Sequence, residues 1–89
     1  MNILILGDVF GPPGMKAVTE KLPSLIKKKK IDFVIINGEN AADPGVGITK
    51  KNTEELFNAG GDVITSGNHI WDEKETVKFI DTEKRLLRP

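Results

Sequence analysis

"VITSGNHIWD", residues 63–72, starts as a buried strand and changes character within a few positions. The β-branched Val63 and Ile64 give way to Gly67, Asn68 and His69, the only histidine in the chain. Two other stretches behave alike. "NILIL" (2–6) runs into Gly7-Asp8, and "FVII" (33–36) runs through Asn37 into Gly38-Glu39-Asn40. Short apolar runs with no alternation at their centres predict strands buried on both faces of a parallel sheet.

Helical patterns fill the gaps. Met15, Val18, Leu22, Leu25 and Ile26 recur at steps that place them on one helix face. Pro23 lacks a backbone donor and is predicted to kink or split that helix. A second helix starts after Thr49, a good N-cap, and runs to about Ala59, where Gly60-Gly61 stops it. A third is predicted to have Asp72 as N-cap with Glu75 three residues on, and to reach about Thr82. "LLRP" (86–89) reads as the start of a fourth strand. Alternating strands and helices predict an α/β fold, a parallel sheet with flanking helices. At 89 residues there is room for one domain.

Composition removes several function classes. Thirteen basic and thirteen acidic residues cancel, leaving no field for tracking long nucleic acids or binding a membrane surface. Without cysteine there are no disulfides and no thiolate metal sites. The apolar run at the start lacks a basic flank and a cleavage site, so it reads as a strand and not as a signal peptide. No stretch is long enough to cross a bilayer. A soluble cytoplasmic protein is the expectation. Lys27–Lys30 read as a solvated helix C-terminus, favoured there by the helix dipole.

In a parallel sheet all strands end on the same edge. Glu39 follows Asp8 by 31 residues and Asn68 follows Glu39 by 29, each about one strand–helix–strand unit. Asp8, Glu39, Asn40, Asn68 and His69 are therefore predicted to converge outside the carboxyl ends, where open α/β sheets bind ligands. Asp, Asn and Gly also make good turns, and any single loop is explained that way. Three such loops in register favour a site. Crowded carboxylates repel, and a divalent cation removes that penalty while giving hard oxygen ligands a purpose. The first loop, "GDVFGPPG" (7–14), matches neither GxxxxGK[ST] nor GxGxxG, which argues against a nucleotide-binding loop. The helix N-terminus after Pro12-Pro13 can still help to hold a phosphate. Trp71 reads as a wall of the site or as packing between loop and sheet, with packing the expectation.

"LGD" (6–8), "NGENAA" (37–42) and "GNHIWD" (67–72), each after a strand, resemble the YmdB-like bacterial metallophosphoesterases, a branch of the calcineurin-like superfamily. The resemblance extends over the whole chain to the closing "RP". It implies the N-terminal part of an α/β sandwich and a dinuclear-metal phosphodiesterase of 2′,3′-cyclic nucleotides or related phosphodiesters. It also implies two divalent ions, iron or manganese. By resemblance Asp8 and Asn40 bind the first metal, Glu39 bridges both, and Asn68 binds the second. His69 donates a proton to the leaving group and is not a ligand. Phe10 stands where many calcineurin-like enzymes have a histidine ligand, and Glu39 where they commonly have a bridging aspartate; both departures fit the YmdB-like branch.

The family completes its site with three further histidines, which this chain lacks. The expectation is therefore that residues 1–89 are an N-terminal portion, inactive alone, which associates with itself or with a missing C-terminal half. The competing reading is a non-catalytic α/β module for interaction or self-association. A small-molecule nucleotide or phosphodiester is the expected substrate, with no long nucleic acid and no membrane as partner.

Overall fold

The structure, a computed structural model, describes residues 1–89. The chain forms β1 (Ile3–Leu6), α1 (Gly11–Lys29), β2 (Phe33–Asn37), α2 (Lys50–Ala59) and β3 (Val63–Thr65). A 3-10 helix (Asn68–Asp72) and α3 (Lys74–Phe79) follow. The strands form one parallel sheet in the order β1-β2-β3, with Ile5 opposite Ile35 and Ile35 opposite Val63. Helices α1 and α2 pack against each other, as two successive crossovers of one hand require.

The two faces of the sheet differ. Val34, Ile36 and Ile64 point into the helix layer and are at most 2% exposed. There they join Leu22, Ile48, Leu56 and Ile70 in one apolar core. On the other face Ile3 is 54% and Ile5 70% exposed, with Phe33 open beside them. Burial on both faces was the sequence expectation; the chain supplies a covering layer for only one.

Thr49 caps α2 as expected. Its hydroxyl accepts the Asn52 N–H at 3.0 Å, and Asn52 Oδ1 accepts the Thr49 N–H at 3.0 Å. Such a box is worth about 1 kcal/mol. Gly60 closes the helix at φ +124°, open to glycine and strained for other residues. Lys27–Lys30 are exposed at the end of α1, matching the solvated reading.

Three expectations are corrected. Helix α1 runs unbroken through Pro23. That proline is exposed in an open hollow beside α2, so the helix gives up one backbone bond where water has access, while buried Met15 and Leu22 anchor it to the core. Neither partner of the expected Asp72–Glu75 capping pair caps α3, whose N-cap is Glu73 without a side-chain bond. Asp72 instead faces His69, and Glu75 Oε1 accepts the Lys50 N–H at 3.1 Å, serving the first turn of α2. Trp71 is 43% exposed, because its neighbour Ile70 takes the core position.

The fourth-strand signal appears as a single parallel bridge, Ile64 opposite Leu86. The Ile64 N–H donates to Arg85 O and the Leu87 N–H to Ile64 O, both at 2.8 Å.

Candidate functional site

Backbone hydrogen bonds knit the three strand ends together. The Val9 N–H donates to Asn37 O at 3.0 Å and the Gly11 N–H to Asn40 O at 2.9 Å, fixing the first loop on the second. The Gly38 N–H donates to Thr65 O at 2.9 Å, fixing the second on the third. Asn37 Oδ1 accepts the Glu39 N–H at 3.1 Å, a local turn that sets where Glu39 leaves the strand. Gly38 is buried against Ile48 and Ile64, and a Cβ there would lie 2.9 Å from each. Core packing thus holds the loop that carries Glu39 and Asn40.

On this frame Asp8 and Asn40 meet. Asn40 Nδ2 donates to Asp8 Oδ1 at 3.1 Å and Oδ2 at 3.2 Å. Glu39 turns towards the third loop, where its Oε2 accepts the His69 N–H at 3.4 Å. Gly67 lies directly on the Glu39 carboxylate, and any side chain at that position would collide with it. Asp8–Asn40 and Glu39–His69 are therefore two contacts joined through the Glu39–Asn40 peptide. Asn68 is exposed at the start of the 3-10 helix, and its side chain makes no hydrogen bond to the other four.

The donor set fits a hard divalent cation in kind but is incomplete in number. No three His, Cys, Asp or Glu side chains gather as a ready ligand group. Two carboxylates with flanking amide oxygens are nevertheless the chemistry that such ions take. Asn40 turns its nitrogen to Asp8, as an amide beside an anionic carboxylate should, and half a turn of the amide presents its oxygen. An open pocket of about 360 Å³ lies beside Asp8, lined by Leu6, Gly7, Val9, Gly14 and Val18. A hollow of the same size between α1 and α2, lined by Lys16, Asp43, Lys51 and Glu55, holds none of these residues.

Two residues enter the site that the sequence alone does not single out. Asn37 shapes the turn at Glu39. Asp72 Oδ2 lies 2.9 Å from His69 Nδ1. The His-x-x-Asp spacing is the available signal for the second, hidden by the more familiar reading of Asp72 as a helix cap.

Similarity to known proteins covers the same ground. The chain is 52% identical over 89 residues to the 2′,3′-cyclic-nucleotide 2′-phosphodiesterase of Bacillus subtilis (strain 168), covering 100% of this chain and 33% of that protein. Its structure resembles the crystal structure of a hypothetical protein from Thermus thermophilus with a TM-score of 0.88 and 39% identity, covering 100% of this chain and 34% of that one. It also resembles a novel phosphatase of Mycoplasma pneumoniae, with a TM-score of 0.89 and 38% identity over 98% of this chain and 31% of that one. The chain thus spans about a third of the length of these relatives. Residues 4–89 match the model of the YmdB-like proteins, and the chain belongs to that family.

Proposed function

We propose that these 89 residues are the N-terminal portion of a metal-dependent phosphodiesterase acting on 2′,3′-cyclic nucleotides or related small phosphodiesters. The observation that carries this reading is the knitting of the strand ends, which sets Asp8, Asn40, Glu39 and His69 along one exposed edge. The name of the Bacillus relative supports the substrate class. In this reading Asp8 and Asn40 would hold one ion and Asn68 the second, with Glu39 contributing to both. Iron or manganese is the proposed metal, and the remaining ligands come from residues outside this chain.

Bound divalent ions would supply hydroxide at neutral pH and offset charge on the phosphoryl oxygens. His69 donates a proton to the departing ribose oxygen, a task for which imidazole is suited near neutrality. Its backbone N–H, held on Glu39, fixes the ring's root beside the ligands. Asn68 and His69 separate in role because neighbouring side chains leave the chain in different directions.

The uncovered face around Ile3, Ile5 and Phe33 is, in the same proposal, the surface on which the remainder of the parent protein folds. Apolar area of this kind is rarely left bare. No helix is long and apolar enough to cross a membrane.

The test is a comparison of substrates in the full-length parent. His69→Ala should keep its metal and lose roughly two to four orders of magnitude in turnover of a 2′,3′-cyclic nucleotide. Turnover of a nitrophenyl phosphodiester should fall far less, since that leaving group needs little protonation. Loss of metal from the variant, or equal losses on both substrates, would overturn the assignment.

A further inference from the structure

The 3-10 helix places His69 and Asp72 on one face, one turn apart. At three residues per turn, side chains at i and i+3 eclipse, so the two stand one above the other. His69 Nδ1 and Asp72 Oδ2 are 2.9 Å apart. Their seat is fixed from two sides. Ile70, between them in sequence, is fully buried in the core. Gly47, at φ +84°, brings the second loop so close that a Cβ there would lie 3.1 Å from His69 O and 3.7 Å from Asp72 Cβ. The pair is partly exposed, with side chains 43% and 49% accessible, so as an ion pair it contributes little stability. Its geometry has another use.

We propose that Asp72 is the positioning residue of His69, holding its Nδ1–H so that Nε2 is the nitrogen presented to the substrate. The inference rests on His69 acting as the proton donor of the proposed function. A carboxylate accepts only, so Nδ1 must carry the hydrogen whenever the two side chains are bonded. In the reaction, hydroxide forms a bond to phosphorus while the bond from phosphorus to the ribose oxygen breaks. That oxygen keeps the bonding pair and takes the proton from Nε2. The ring is left neutral with its hydrogen on Nδ1, still held by Asp72, and a proton from solvent restores Nε2–H. Without the Asp72 carboxylate, the neutral ring is free to carry its hydrogen on the other nitrogen and to turn about its side-chain torsions.

The test uses the full-length parent loaded with diamagnetic magnesium and labelled with ¹⁵N-histidine. The His69 signal is identified by its absence in His69→Ala. In the wild type the neutral ring should carry hydrogen on Nδ1. In Asp72→Asn, whose amide can donate to Nδ1, it should carry hydrogen on Nε2. Asp72→Asn should also lower cyclic-nucleotide turnover by roughly tenfold to a hundredfold, less than the loss for His69→Ala, because Asp72 acts only through the ring. It should spare the nitrophenyl substrate, and should cost nothing further when added to His69→Ala.

An Nε2–H ring in the wild type, or an unchanged spectrum in Asp72→Asn, would overturn the inference whatever the rates. So would equal losses on both substrates, or an additive loss in the double variant. If His69→Ala itself shows no dependence on leaving group, the proton-donor reading fails, and the spectrum still reports whether Asp72 sets the tautomer.

Discussion

The two faces of the sheet are made of similar residues and differ in what covers them. Ile64 and Ile36 on the helix face are fully buried, while Ile5, on β1 and the opposite face, is 70% exposed. The same residue type therefore has opposite consequences in one small sheet. On the helix face it fixes where the strand ends lie, because Gly38 is wedged against Ile48 and Ile64. On the open face it holds nothing within this chain. The candidate site is thus positioned from one side only, by the core that residues 1–89 form themselves.

Substitutions on the two faces should separate them by size of effect. Ile64→Ala should destabilise this chain by about 2–5 kcal/mol in denaturant unfolding, the range for a large-to-small change in a packed core. It should also loosen the third loop, since Ile64 supports both Gly38 and the bridge to Leu86. Thr49→Ala removes a cap at the edge of the same layer and should cost about 1 kcal/mol. Ile5→Asp should change the stability of this chain by no more than about 0.5 kcal/mol, as a surface substitution does. In the full-length parent the same change should be strongly destabilising if that face is covered, because a buried unpaired charge is costly. Equal losses for Ile5→Asp and Ile64→Ala in this chain would erase the distinction between the faces.

Much of this is legible in the sequence, and the misses share a cause. The three strands, the capped second helix and the convergence of Asp8, Glu39 and Asn40 follow from local apolar runs and turn residues, which act over a few positions. The start of the third helix is not legible, because Asp72 and Glu75 have good local reasons to cap it and better partners elsewhere. Glu75 serves α2 across 25 residues, and Asp72 answers to His69. Pro23 does not break its helix because a missing bond is tolerated where the proline is exposed and buried Met15 and Leu22 anchor the helix to the core. The open face is invisible to periodicity, since an apolar run reports that a strand can be buried and says nothing of what is present to bury it. Asn68 is the proposed ligand with the least support from its neighbours: its side chain is exposed and unpaired, while Gly67 and His69 on either side are held on Glu39.

The proposed function stands on Asp8 and Glu39, brought to one edge by separate strands, being metal ligands and not merely turn residues. Elemental analysis of the full-length parent after dialysis, beside Asp8→Asn and Glu39→Gln, decides between the two, with melting temperature measured on metal-stripped samples. Each variant should lose bound metal and turnover together, while the stripped proteins melt close to the stripped wild type. Full metal content in either variant, or a loss explained by an equal drop in the stripped protein's melting temperature, would contradict the assignment.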